Sequence, residues 1–127
     1  MIVVDASAAL AALLNDGPAR RLLAAEALHT PHLIDVEVTS GLRRQVRANR
    51  VDATEGLTAL DTWRRLGIVR YAMPALLDRV WELRDDVSSY DACYVALAES
   101  LECAMVTADA RLSSAPGIRC PITVIPR

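Results

Sequence analysis

Two aspartates lie directly beyond apolar runs that predict buried strands. Asp5 follows Ile2–Val4, a β-branched run typical of a strand that is covered on both faces of a parallel sheet. Asp109 follows a second apolar run at residues 103–107, and both acids precede segments typical of helices. Ligands of open α/β sheets bind in the crevice beyond the carboxyl ends of the strands. Both carboxylates are therefore candidates for one chemically active crevice.

Two further acids are predicted to lie on the apolar sides of helices. Glu37 has only apolar or small helical neighbours three and four positions away, and Asp91 shares its side of a helix with Tyr94, Val95 and Ala98. An unpaired carboxylate is costly against such a surface, so a cation is expected to compensate it. A location at the edge of the apolar side, with the carboxylate reaching solvent, is the alternative for Glu37.

Helix capping is the structural alternative for the other acids. Asp5 or Ser7 stands between a strand and a helix, where N-cap residues are favoured. Ser88 and Asp91 have the spacing of a capping box. A functional site therefore requires that the acids also converge on one place.

In a parallel sheet, all of these acids can meet at one end. Close carboxylates raise one another's pKa, and the chain has no Lys to neutralise them, because its 14 basic residues are all Arg. Hard divalent cations, Mg²⁺ or Mn²⁺, are the natural partners of an oxygen-rich site. Such an ion orients a phosphodiester, activates a water and stabilises the leaving oxygen. The pattern therefore predicts a divalent-cation site, and phosphodiester hydrolysis is one reaction that such a site could support.

The remaining patterns predict an α/β fold that would hold these acids. Further short strands are predicted at residues 68–71 and at residues 122–125, the last at the sheet edge. His29-Thr30-Pro31 predicts a break between helices, and His29 and His32 are interpreted as packing or surface residues rather than metal ligands. Helices are predicted at about residues 8–14, 19–27, 33–49, 52–66, 74–83 and 88–101, with a short one after Asp109.

Length and composition predict one domain over residues 1–127. The chain is 53% hydrophobic, which is enough for a core, and it carries no internal repeat or linker. Three cysteines without a C-x-x-C pair predict reduced thiols rather than a disulfide framework or a zinc site. The N-terminus lacks the basic segment of a signal peptide, and no apolar run reaches membrane-spanning length. We therefore expect a soluble, cytoplasmic protein.

Arginines supply the only candidates for an RNA contact. The net charge of −2 gives no general attraction to nucleic acid, so a local patch is required. Arg43, Arg44 and Arg47 lie six to ten residues beyond Glu37 on the same predicted helix. Together with Arg111, they are candidates for contact with a phosphate backbone.

The ordered set of acids and their flanks resembles the PIN-domain ribonucleases of the VapC toxin type, the ribonuclease half of a bacterial toxin–antitoxin pair. The resemblance spans essentially the whole chain, although residues 52–83 contain no matching motif. The segments that carry it are residues 2–7, residues 31–37 leading into 41–44, residues 89–92 and residues 106–112.

The resemblance implies a PIN-like, three-layer α/β/α fold with a short, mainly parallel central sheet of about four to five strands. It also implies a Mg²⁺-dependent endoribonuclease that leaves 3′-hydroxyl and 5′-phosphate ends. In the corresponding positions, Asp5, Asp91 and Asp109 would bind the metal, and Glu37 would either bind a second ion or position the attacking water. Ser7 and Thr107 match the hydroxyls that hold the first and last acids.

The resemblance further implies partners. Members of the family commonly form homodimers and are inhibited by a cognate VapB-type antitoxin, which can insert an Arg into the acidic pocket. The candidate arginines, Arg43, Arg44, Arg47 and Arg111, could accordingly contact either RNA or the antitoxin.

Other functional classes are weighed against the toxin. A PIN-domain nuclease of RNA maturation and a non-catalytic PIN-like module that binds RNA or a partner both stay open. A phosphoacceptor receiver domain normally needs a Lys, which the chain lacks. A haloacid-dehalogenase-like phosphatase would need Asp-x-Asp after the first strand, whereas this chain has Asp5-Ala6-Ser7.

Overall fold

A parallel five-stranded sheet forms the centre of the protein. The computed structural model describes all residues from Met1 to Arg127. The strands are β1 (Ile2–Val4), β2 (Leu28–Pro31), β3 (Ile68–Tyr71), β4 (Ala104–Thr107) and β5 (Ile122–Val124), in the spatial order β3-β2-β1-β4-β5. Every neighbouring pair is parallel. Because all strands run the same way, their carboxyl ends share one edge of the sheet.

Helices cover both faces of this sheet. The helices are α1 (Ala6–Leu14), α2 (Pro18–Ala25), α3 (Ile34–Arg47), α4 (Ala53–Arg65), α5 (Leu77–Glu82) and α6 (Ser89–Leu101), with short 3₁₀ turns at Pro74–Leu76 and Ala110–Ser114. The first four helices pack on one another, whereas α5 and α6 pack together and α6 lies against β1, β2 and β4. This three-layer α/β/α arrangement confirms the predicted fold class. None of the helices has both the length and the apolar character required to cross a bilayer.

The central strands carry the most deeply buried part of the core. Val3, Val4, Met105 and Val106 are almost completely excluded from solvent. This burial on both faces explains why β1 and β4 have continuous apolar sequences instead of alternating ones. A single cluster of 27 buried apolar residues joins the sheet to the helices on both sides.

The strand order places a topological switch point between β1 and β4. From β1 the chain passes to β2 and then β3 on one side, and it later returns to β4 on the other side. Crossover connections that leave a strand in opposite directions open a crevice beyond the strand ends, and ligands of α/β folds bind there. Asp5 follows β1 and Asp109 lies two residues beyond β4, so both acids border this crevice.

One strand was not predicted. Residues 28–31 form β2, although His29-Thr30-Pro31 suggested only a break, and α2 ends at Ala25 rather than Ala27. The strand is held by parallel pairing with β1 and β3, so tertiary contacts outweigh the weak local preference of this segment. His29 is a packing residue as expected, because its Nδ1 lies 2.7 Å from the hydroxyl of Tyr71.

Candidate active site

Asp5 is a buried carboxylate whose oxygens are both hydrogen-bonded. Its side chain is almost enclosed, since the residue is only 6% exposed. Oδ1 accepts from Ser7 Oγ at 2.6 Å and from the backbone N of Ala8 at 2.9 Å, while Oδ2 accepts from Thr107 Oγ1 at 2.5 Å. The bond from Ala8 makes Asp5 the N-cap of α1, so capping and a position in the crevice are combined in one residue. Burial raises the pKa of Asp5, and the donors oppose this shift.

Two hydroxyls tie the ends of β1 and β4 together. Ser7 Oγ accepts from the backbone N of Ala108 at 2.8 Å, and Thr107 Oγ1 accepts from the backbone N of Asp109 at 3.0 Å. The two hydroxyl oxygens lie 3.2 Å apart. Since both hydroxyls also donate to Asp5, they fix this carboxylate relative to the chain segment that carries Asp109.

Asp109 is held in an ion pair by Arg111. Arg111 Nη2 donates to Oδ2 at 2.8 Å, while Arg111 Nε and its backbone N donate to Oδ1, each at 3.0 Å. The guanidinium hydrogen bond is the main reason that the pKa of Asp109 falls to about 2. Asp109 therefore stays ionised across the physiological range, with Arg111 as its counter-charge.

Glu37 is anchored by a tyrosine from the opposite helical layer. Tyr94 Oη on α6 donates to Glu37 Oε1 on α3 at 2.6 Å. Burial raises the pKa of Glu37, and the bond from Tyr94 opposes the shift. Burial and Glu37 both raise the pKa of Tyr94, so its hydroxyl remains a donor at neutral pH. In the middle of α3, a Cβ on Gly41 would overlap Leu10 Cδ1, so the glycine allows α3 to approach α1 closely.

Asp91 lies in the first turn of α6. Its backbone N donates to Ser88 Oγ at 3.1 Å, which is the capping contact expected from the sequence. Burial is the main cause that raises the pKa of its carboxyl, and the negative charge of Asp109 adds to the shift. The charge of Asp91 also raises the pKa of Asp5. The carboxylates of α6 and of the strand ends thus act on one another electrostatically.

One cleft of about 1100 Å³ contains all four predicted acids. Ser7 also lines it, and Thr107 lies buried behind Asp5. Among the predicted arginines, Arg44 and Arg111 line the cleft, whereas Arg43 and Arg47 do not. Arg50, which continues the basic stripe of Arg43 and Arg47 in the sequence, and the C-terminal Arg127, which was not predicted, line it as well.

Arg44 could have been distinguished from its neighbours by helical spacing. It lies seven residues after Glu37, two turns along the same face of α3, whereas Arg43 and Arg47 are rotated away. Arg127 could not have been found in this way, because its position depends on how β5 runs along the sheet edge.

The donor set fits a hard divalent cation. It consists of carboxylate and hydroxyl oxygens only, and burial raises the pKa of three of the carboxyls, those of Asp5, Glu37 and Asp91. A cation would reverse this effect because it favours the ionised forms. No three of the acids approach one another as closely as ligands of one ion in this structure. Arg111 is the counter-charge of Asp109 in this structure, so Arg111 and a metal ion would compete for this carboxylate.

Comparisons with known proteins agree with the parallel α/β fold. The sequence matches the model of the PIN domain over residues 2–118. It is 62% identical over 127 residues to ribonuclease VapC9 of Mycobacterium tuberculosis, with 100% of both chains covered. It is 40% identical to ribonuclease VapC1 of the same organism, covering 97% of this chain and 96% of the relative.

A solved structure shows the same fold. The crystal structure of VapC20 from Mycobacterium tuberculosis, described as a sarcin–ricin loop cleaving toxin, superposes with a TM-score of 0.69 at 20% sequence identity. The match covers 94% of this chain and 97% of that one. The fold and its acidic crevice thus define a PIN domain. Within that class, the chain belongs to the VapC ribonuclease family.

Proposed function

We propose that this protein is a divalent-metal-dependent endoribonuclease that acts as the toxin of a type II toxin–antitoxin pair, with residues 1–127 working as one PIN domain. The observation that carries the proposal is the convergence of Asp5, Glu37, Asp91 and Asp109 in one cleft at the switch point of the sheet. Each acid comes from a different segment of the chain, so local capping needs do not explain their meeting.

Three aspartates would hold the metal ion. Asp5, Asp91 and Asp109 would provide carboxylate oxygens to Mg²⁺ or Mn²⁺, and Ser7 and Thr107 would keep Asp5 in place. When bound, the ion supplies charge neutralisation for the phosphodiester and lowers the pKa of water. The protein's contribution is to present these oxygens from the ends of buried strands and from the first turn of a packed helix.

Glu37 would orient the attacking water. Tyr94 occupies its Oε1, so Oε2 is left to accept a hydrogen bond from the water. Because burial raises the pKa of Glu37, its carboxylate is a better proton acceptor than an exposed one. The phosphate backbone would run past Arg44 and Arg111, and Arg43 and Arg47 would extend this basic track beyond the cleft.

Membership of the VapC family suggests two binding partners for this protein. A VapB-type antitoxin would cover the cleft, and a second copy of the chain would form a homodimer. The protein would act in the cytoplasm, where its RNA substrate is present. Co-purification with the antitoxin and light scattering of the isolated chain test these two associations.

The test of the nuclease compares two aspartates that cap helices. Asp52 caps α4 by accepting from the backbone N of Glu55 at 2.7 Å, as Asp5 caps α1, but it lies outside the cleft. Asp5→Asn should abolish Mg²⁺-dependent cleavage of a labelled RNA and growth inhibition on induction, with the circular dichroism spectrum unchanged. Asp52→Asn should retain both. Cleavage by Asp5→Asn at the wild-type rate, or equal cleavage in excess EDTA, would refute the proposal.

A further inference from the structure

An exposed aromatic side chain stands at the mouth of the acidic cleft. Tyr90, directly before Asp91 in the first turn of α6, is 66% exposed and lines the cleft. The chain has few aromatic residues, with three Tyr, two Trp and no Phe. The other two tyrosines, Tyr71 and Tyr94, use their hydroxyls in hydrogen bonds within the fold, whereas Tyr90 makes none. The fold therefore gives no structural reason for the ring of Tyr90.

A second exposed apolar side chain lies on the other helix that carries an acid. Val36, directly before Glu37 on α3, is 73% exposed and lines the same cleft. Glu37 and Asp91, the two cleft acids that lie on helices, are thus each preceded by a large, exposed side chain that lines the cleft. Apolar surface beside a cluster of charges favours a ligand with both a charged and a flat apolar part.

Unpaired arginines lie around the same cleft. Arg44, Arg50 and Arg127 line it, and none of them forms an ion pair with a carboxylate. Free guanidinium groups are suited to phosphate oxygens. Guanidinium groups beside an exposed aromatic ring are the combination with which proteins hold the backbone and the bases of a nucleic-acid strand.

We propose that Tyr90, supported by Val36, is a stacking platform for the base next to the scissile phosphate. Base stacking on aromatic side chains combined with a basic groove is how proteins hold single-stranded nucleic acid. A base within a duplex has no free face to offer the ring. The inference rests on the proposed nuclease function, because it assigns a base-binding side chain to the same cleft.

Binding is tested without cleavage. In the Asp5→Asn background with Mg²⁺ present, an eight-nucleotide RNA that carries one 2-aminopurine is titrated with protein, and its fluorescence gives the Kd. Tyr90→Ala should weaken binding about tenfold, the order expected for one lost stacking contact, and Tyr90→Phe should bind normally. The same RNA in a duplex should bind weakly and respond little to Tyr90→Ala.

A matched control is available on α5. Trp81 is 68% exposed but lies outside the cleft, so Trp81→Ala should leave binding unchanged. In the otherwise wild-type enzyme, Tyr90→Ala should raise KM with little change in kcat, because the ring binds the substrate away from the reacting atoms.

The possible results distinguish the stacking role of Tyr90 from the proposed nuclease function. Wild-type cleavage with binding that is indifferent to Tyr90→Ala would overturn the platform alone, as would a Tyr90→Phe defect equal to that of Tyr90→Ala. Loss of antitoxin binding without loss of RNA binding would assign Tyr90 to a protein contact and also overturn it. Tyr90-dependent binding without any metal-dependent cleavage would leave the platform standing and refute the nuclease. Absence of RNA binding by every variant would refute both.

Discussion

Arg111 forms a two-pronged ion pair with Asp109, in which Nη2 meets Oδ2 at 2.8 Å and Nε meets Oδ1 at 3.0 Å. The Arg111 side chain is 91% exposed, so its guanidinium can move away from Asp109 at little cost in free energy. It occupies the same oxygens that the proposed metal site requires. The arginine and a metal ion therefore compete for one carboxylate.

Removal of this competitor should tighten metal binding. Arg111→Ala is expected to lower the Kd for Mn²⁺ roughly two- to fivefold, the scale of an exposed ion pair. Isothermal titration or electron paramagnetic resonance of Mn²⁺ measures this without any substrate. The control is Arg65→Ala, which breaks the exposed pair of Arg65 with Asp61 on α4, 2.9 Å long and outside the cleft. Weaker Mn²⁺ binding by Arg111→Ala would show that Arg111 supports the site instead.

The hydroxyl of Tyr94 should matter more for cleavage than for folding. Tyr94→Phe removes the 2.6 Å bond to Glu37 Oε1 and leaves the ring in the core. We expect metal-dependent RNA cleavage to fall about tenfold, as is typical when a group that orients a catalytic side chain is lost. Tyr71→Phe is the matched control, since it removes a 2.7 Å bond to His29 away from the cleft. Equal cleavage rates for the two variants would contradict the assigned role.

Two buried threonines offer a comparison of charged and neutral hydrogen bonds. Thr107 donates to the carboxylate of Asp5, while Thr30 on β2 donates to the backbone oxygen of Val4 at 3.2 Å, and both threonines are fully buried. Each can be replaced by Val with little change in shape. Thr107→Val should cost about 2–3 kcal/mol of unfolding free energy and Thr30→Val about 1 kcal/mol, because Thr107 donates to a charged group and also accepts from the backbone N of Asp109. Urea unfolding in EDTA checks this, and equal losses would contradict it.

The strand ends could be predicted from the sequence because the signal there is local. At Asp5 and Asp109, an apolar run, an acid and a helix follow one another within a few residues, and the structure has the same order. β2 could not be predicted, because Leu28–Pro31 contains a His and a Pro and is stabilised by strands that are distant in sequence. For the same reason, the position of Arg127 at the cleft could not be predicted, because it depends on how the strands pair in the sheet.

The site residues on the helices could be predicted only in part from the sequence. The apolar neighbours of Glu37 indicated a carboxylate facing inward, but its partner Tyr94 comes from another layer, 57 residues away. The sequence did contain an indication of Tyr90, because it is an aromatic residue directly before the predicted site acid Asp91. Its exposure, however, depends on which side of α6 meets the sheet.

Asp35 should govern part of the acid sensitivity of the fold. Its carboxylate accepts from Arg70 Nε, from Arg70 Nη2 and from Trp63 Nε1, each at 2.8 Å. The Arg70 hydrogen bond is the main cause that lowers the pKa of Asp35 below its ordinary value of 3.8. A carboxyl with a lower pKa in the folded state stabilises the protein above the unfolded pKa. This stability is lost as the pH falls through the folded value.

Asp35→Asn should therefore cost about 1 kcal/mol at pH 7, a small value because the side chain is 45% exposed and solvent screens the pair. Below about pH 4, the difference between wild type and variant should shrink, because Asp35 binds a proton in the unfolded wild-type chain first and in the folded protein only at lower pH. Urea midpoints at pH 7, 4 and 3 measure this. Asp78→Asn, at an exposed acid on α5 that forms no ion pair, is the control and should follow the wild type throughout. A constant difference between Asp35→Asn and wild type across this range would show that the carboxylate charge of Asp35 is not what Arg70 and Trp63 recognise.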